Sequence, residues 1–255
     1  MAPTQLEIAL TAALAKHIHG KTRTGPIDNA ILKHPLLCAL GEGSLTREQL
    51  QRFCVARFTA SEDFERMLEA AMLLAEKEGK TELAIELSNN LRDERGLDRE
   101  TGQPTQAGPH SQWRKDFMEA LGIVSTPGEK KYTINEGEDL AILSGMLLTA
   151  EFAIPPEYKR VMKCVQRHFP DSFSSDLEEE DPIKRKNSRY LLDHIEHDSG
   201  AHFPDLRRAI CIELPDRMED VIRGIERFAS EGLQFFSAIQ QSIGLPDTER
   251  SLSRL

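Results

Sequence analysis

His194, Asp198 and His202 recur every four residues, so on a helix they lie along one side, in line with Leu191 and Leu206. Imidazole nitrogens and a carboxylate aimed at one point form a ligand set for a first-row transition metal. As core packing, the same three side chains would need three separate hydrogen-bond partners. Two further carboxylates occupy stripes that are otherwise aliphatic: Glu94 continues Leu83, Leu87 and Leu91, and Glu151 continues Leu140, Leu143 and Leu147. A carboxylate carried into a core costs on the order of several kcal/mol unless it neutralises, pairs or binds a cation. His110 shares a face with Trp113, Phe117 and Leu121 and would bring one more helix to the same place.

Each of these residues also has a plainer role open to it. Glu94 could be a solvated carboxylate at a helix C-terminus, and Glu151 could pair with Arg160 or Lys163. His110 could open a helix at the surface, and the His-Asp-His run could be a solvated face, since Glu196 and His197 lie within it. Arg57 falls on the stripe of Leu50, Cys54, Ser61, Phe64 and Leu68. An inward guanidinium there suits a bidentate clamp on a substrate carboxylate, whereas an outward one would snorkel to solvent.

The elements that must position these groups read as helices throughout, because apolar residues recur at three and four and alternation is almost absent. Asp28 is expected to cap a helix through Ile31 to Leu40 that Gly41 and Gly43 stop, and Thr46 with Gln49 forms a capping box for one helix over 47–78. A helix after Gly79 carries Glu94 and ends at Gly96, a polar loop spans 97–109, and His110 opens the next helix. The helix bearing Glu151 is expected to stop at Pro155 and Pro156, with a separate one from Tyr158 to His168. The acidic stretch from Asp176 to Asp181 reads as a solvated turn before a helix that carries His194, Asp198 and His202 continuously to Leu206. Gly200 and Pro204 weaken that helix, costing about 1 and about 3 kcal/mol in a helix interior, so without metal it is expected to be the least stable part of the site. A long helix from Met218 to Ile243 closes the chain, with Gly224 and Gly232 as weak points, and the tail after Pro246 is expected to fray.

Composition narrows the classes of function. An excess of 42 acidic over 32 basic residues, net −10, disfavours an extended phosphate-binding surface and hence nucleic acid. No basic leader precedes an apolar run, and no stretch is expected to reach a membrane span, so no membrane partner and a cytoplasmic location are expected. No Gly/Ser or Pro tract divides the chain, which reads as one domain over 1–245 with a flexible tail at 246–255. The four cysteines lack CxxC spacing and read as reduced, mostly buried thiols.

The stretch Asn90-Leu91-Arg92-Asp93-Glu94-Arg95-Gly96, then Pro109-His110-Ser111, Glu151 and the run from His194 to His202 together resemble the haem-oxygenase-like di-iron oxidases and oxygenases. His34-Pro35-Leu36, followed by Gly43, Leu45 and Gln49-Leu50, is similar to the opening of that superfamily, which includes the pyrroloquinoline quinone synthases and TenA thiaminases. The likeness runs from about Asp28 to Ile243 and implies an all-α, haem-oxygenase-like bundle of about seven or more helices. It also implies Glu94, His110, Glu151, His194, Asp198 and His202 as ligands of two Fe(II) ions per chain, the second labile, with one carboxylate bridging and Glu151 and Asp198 as catalytic carboxylates. O2 would be the co-substrate, an amino acid or amine would be hydroxylated, desaturated or oxidatively cleaved, and Arg57 would bind its carboxylate. A homodimer and an external electron donor are compatible with this reading. A fatty-acid-oxidising di-iron enzyme, a metal-free oxidase like the quinone-cofactor synthases, a cysteine-dependent thiaminase and a non-enzymatic binding protein are the alternatives. The interval from Glu94 to His110 is longer than the family's. None of the three tyrosines, Tyr132, Tyr158 and Tyr190, lies in the second helix, which argues against the members that make p-aminobenzoate from their own tyrosine.

Overall fold

The structure, a computed structural model, describes residues 4–22, 25–26, 30–59, 62–124, 138–176, 178–196 and 202–246. Asp28, Ser61, Tyr132, His197, Asp198, Gly200 and the tail beyond 246 lie outside them. The described residues form an all-α fold, as expected, with one antiparallel pair of two-residue strands, β1 (Lys21–Thr22) and β2 (Gly25–Pro26), after the first helix.

α1 (Gln5–His19) begins with a capping box between Thr4 and Glu7 and ends at Gly20. A single turn at Ile31–Lys33 leads to α2 (Pro35–Glu42), which is capped by His34, whose Nδ1 accepts from the Leu36 amide at 3.3 Å. The capping box expected at Thr46 and Gln49 opens α3 (Arg47–Thr59). α4 (Glu62–Lys77) covers the rest of the stretch read as one helix, and Ala60 and Ser61 between α3 and α4 lie outside the described residues. α5 (Thr81–Glu94) and α6 (His110–Ala120) have the bounds that the glycines and the polar loop imply.

α7 runs unbroken from Leu140 to His168, through Pro155 and Pro156, where a stop was expected. The two prolines deprive the carbonyls of Glu151 and Phe152 of their amide donors. Burial outweighs that loss: Glu151, Ala153, Pro155, Glu157, Tyr158 and Val161 are all buried. α7 is apolar and long enough to cross a membrane by length and composition, contrary to the sequence reading, but 78% of its most apolar window is buried inside the protein, which makes it a core helix.

The helix expected around His194 changes type there, and residues 197–201 of it lie outside the described ones. α8 (Pro182–Asp193), capped by Asp181, passes into wider π-helical turns at 194–196, His202 is again in such a turn, and α9 (Phe203–Glu213) follows it with Pro204 in its first turn. α10 (Met218–Ser242) closes the chain against α7. Gly224 is a crossing point there: a Cβ on it would meet the Ile142 carbonyl oxygen at 2.1 Å, and one on Gly145 would meet that of Val221 at 2.0 Å. The two glycines let the backbones of α7 and α10 touch.

Two buried apolar clusters flank the site. One gathers Leu36, Phe53, Phe58, Phe117 and Val161, the other Leu14, Leu68, Leu87, Leu147 and Val221, and α7 supplies residues to both.

Candidate metal centre

Glu94 ends α5 and His110 begins α6, and the polar loop between them folds back so that its ends meet. Gly96, at φ 66°, lies so close to Gly108 that a Cβ would fall 2.3 Å from its carbonyl carbon. Leu97 pairs with Pro104, and the Thr105 amide bonds to the Gly96 carbonyl at 2.8 Å. The long interval therefore does not separate the two side chains: His110 Nδ1 is 3.2 Å from Glu94 Oε2. His194 Nε2, at the end of α8, lies 3.7 Å from Glu94 Oε1. Ligand atoms of these three residues all lie within 4.8 Å of one another.

Each ring is held from outside. His194 Nδ1 is 2.7 Å from the Tyr190 carbonyl, so its Nε2 faces Glu94. His110 Nε2 is 3.6 Å from Asp193, and its ring lies on Trp113 with centroids 4.4 Å apart. Trp113 in turn donates to the Ala107 carbonyl of the folded loop.

Glu151 and His202 flank this group. Glu151 is 3% exposed and accepts from Asn90 Nδ2 at 2.8 Å. Arg160, a suggested partner for it, instead donates to the Leu32 carbonyl. The rings of Phe152 and Phe203, next in sequence to Glu151 and His202, pack at 5.1 Å. Asp198, the remaining expected ligand, lies outside the described residues.

The electrostatics differ across the site. Burial favours a neutral Glu94, but His110 and His194 beside it hold the carboxyl far below the usual range. Burial likewise opposes charge on His110, yet Glu94 and Asp193 raise its pKa. For Glu151, burial dominates and pushes the carboxyl well up. His202 is pushed down, again chiefly by burial.

The residues present fit a bound metal. Nδ1 of His202 is buried without a hydrogen-bond partner among the described residues, Nδ1 of His110 faces only the Glu94 carboxylate among them, and Glu151 is a buried acid that accepts from the Asn90 amide. A divalent cation would satisfy each of these groups.

A cavity of about 270 Å³ opens beside the cluster, with Glu94 and His194 in its wall and Met67, Met146, Ile154 and Phe228 among its apolar lining. Arg57 also lines it. Its guanidinium is engaged by Glu157 through Nε at 2.6 Å and Nη2 at 3.2 Å, and it neither snorkels out nor stands apart. Tyr158 and Tyr190, whose hydroxyls are 3.2 Å apart, pack against His194. The fully buried Cys54 and the buried Cys164 have thiols pushed up by burial, the latter to about 11, which disfavours a thiolate nucleophile.

Sequence reasoning assigned no role to Asn90, Asp93, Glu157 or Asp193. Asn90 and Asp93 fall inside the stretch that carries the family likeness, and Glu157 stood behind a proline pair read as a helix stop.

No family model matches the chain, and no curated protein matches it. Among solved structures it is similar to a CADD-like protein of unknown function from Nostoc punctiforme PCC 73102. Two crystal structures of that protein, each 16% identical, align over 93% of this chain and over 97% and 94% of theirs, with TM-scores of 0.66 and 0.62. The likeness shows a common helical fold.

Proposed function

We propose that this chain is a non-haem di-iron oxidoreductase that uses O2 to oxidise a small molecule held in the cavity beside Glu94 and His194. The observation that carries the reading is the convergence of Glu94, His110 and His194 from three helices at the wall of an apolar cavity. The similarity to a CADD-like fold and the ordered match to haem-oxygenase-like di-iron enzymes support it.

Glu94, His110, Glu151, His194, Asp198 and His202 would hold the metals. Bound Fe(II) would supply reducing equivalents and open coordination positions for O2. The chain's own residues do the rest. Glu94 offers an anionic carboxylate, the Tyr190 carbonyl turns Nε2 of His194 toward it, and Glu151, whose carboxyl burial pushes up, would give up its proton to hold a cation, so loading would release acid. The apolar walls exclude water from the reacting centre. Arg57 and Glu157 together present a neutral pair to the cavity, suited to a zwitterionic amino acid or an amine. The apolar lining favours, as a second reading, a fatty acid.

Metal analysis after anaerobic ferrous loading, followed by O2 uptake with candidate substrates, tests the proposal. Two irons per chain are expected, with loss of both metal and O2 uptake in the His194→Ala/Glu151→Ala variant. Unchanged stoichiometry in that variant sinks the assignment.

A further inference from the structure

Asp93 stands beside Glu94 at the end of α5, and its carboxylate does two things. Oδ2 lies 3.4 Å from Nε2 of His202. The same carboxylate is gripped by Arg99, through Nε at 3.2 and 3.0 Å to the two oxygens and through Nη2 to Oδ2. Arg99 comes from the folded loop between α5 and α6, and its carbonyl is tied back to α5 by the Arg92 guanidinium. The unusually long interval between Glu94 and His110 thus supplies a cation that reaches the other side of the site.

A carboxylate whose two oxygens already accept from a guanidinium presents acceptor lone pairs to a ring facing it. Opposite such a group, a neutral imidazole places its one proton on the facing nitrogen and leaves a lone pair on the other. For His202 the other nitrogen is Nδ1, buried and without a partner among the described residues. Building on the di-iron reading, we infer that Asp93, clasped by Arg99, is a positioning residue that fixes His202 as an Nδ1 ligand of one of the two metals. His110 follows the same pattern, with Nε2 toward Asp193 and Nδ1 toward Glu94, and His194 reverses it, with Nδ1 on the Tyr190 carbonyl. Through Arg99 the clasp on His202 is braced by the loop, so it should control that metal selectively.

The test uses the full chain and two probes. With zinc bound, long-range proton–nitrogen correlation of the imidazoles should show His202 metallated at Nδ1 and protonated at Nε2. In anaerobic Fe(II) titrations against a chelator, Asp93→Asn should weaken one of two irons by about 10–100-fold and leave the other unchanged. Asp93→Glu should restore part of the loss. Arg99→Gln, at a half-exposed side chain, should weaken the same iron several-fold without changing the melting of the metal-free protein, so it keeps the test open if Asp93→Asn does not fold. Zinc on Nε2 of His202, or Asp93→Asn and Arg99→Gln chains that hold both irons like the wild type, would overturn the clasp and leave the di-iron reading standing. A wild-type chain that takes up neither metal overturns both.

Discussion

The loop from α5 to α6 and the helix α7 both deliver candidate ligands, but they obey different rules. In the loop, local chemistry decides: Gly96 and Gly108 adopt positive φ, Asp98 bonds to the backbone of Glu100 and Thr101, and the turn closes where those residues direct it. In α7, local chemistry is overruled, and two adjacent prolines fail to end a helix. The difference is burial. The loop faces solvent on one side and buries little apolar surface, so its local turn bonds decide its path, whereas α7 is packed by α2, α4 and α10 and gains more from continuing than two lost hydrogen bonds cost.

If packing governs α7, disturbing its buried partners should do the most damage. Glu157 lies on α7 behind the prolines and is 5% exposed, opposite an Arg57 that is 13% exposed. Arg57→Met should cost about 3 kcal/mol, because it strands a buried carboxylate. Arg57→Met/Glu157→Leu should recover much of that loss in urea unfolding. A double variant less stable than the single one would show that charge burial is not the cause. Gly145→Ala attacks the same helix sterically, since the new methyl would meet the Val221 carbonyl. It should cost about 2–3 kcal/mol despite the better helix propensity of alanine. A thermal midpoint equal to the wild type's would refute the tight α7–α10 crossing.

On the loop side the expected damage is smaller and more local. Gly96→Ala sets a left-handed φ against a side chain and drives a methyl into Gly108, at about 2 kcal/mol. The larger symptom should be weaker metal binding at Glu94 and His110, read by chelator competition. Affinity intact beside lost stability would mean that the loop does not set their separation.

The same contrast explains what was legible in the sequence. Ends of helices written in local signals, the Thr46 capping box, Gly43, Gly96 and the His110 start, were readable. So were the inward carboxylates Glu94 and Glu151, because a stripe of leucines marks the buried face of each helix. The continuity of α7 was not readable, since it rests on contacts with elements distant in the chain. The Asp93, Asp193 and Glu157 contacts were hidden for the same reason: nothing in their spacing shows which histidine or arginine they will meet.

Glu151 offers a test with the opposite sign. Its folded-state pKa is raised by burial above the unfolded value, so ionisation opposes folding. The penalty is absent below the unfolded pKa of about 4.3, grows as pH rises toward the folded pKa, and is constant above it. Metal-free Glu151→Gln, whose amide oxygen can still accept from Asn90, should therefore be more stable than the wild type by about 1–2 kcal/mol at pH 8, the gap closing toward pH 4. The same variant should bind iron less well. A metal-free chain destabilised by Glu151→Gln at pH 8 would mean the carboxylate has a partner that holds it charged.

The smallest effect is expected at Pro204, and it bears on His202 directly. In a helix continuous from α8, Pro204 would cost about 3 kcal/mol, and replacing it would return that amount. At the second position of α9 it costs little, since the amide it lacks is one that the first turn leaves unpaired in any case. Pro204→Ala should shift unfolding by about 0.5 kcal/mol or less. A gain near 3 kcal/mol would instead show that the metal-free chain runs through this point as one helix. His202 sits at the cap position of α9 and makes no side-chain capping bond. Its backbone there is helical, at φ −62° and ψ −49°, and not the extended form from which a cap side chain reaches the second or third amide. The N–H restored in the alanine variant therefore does not compete for the lone pair on Nδ1, and iron affinity should be unchanged while stability shifts only slightly; a clear loss of affinity in chelator competition would show that the amide reaches the ring.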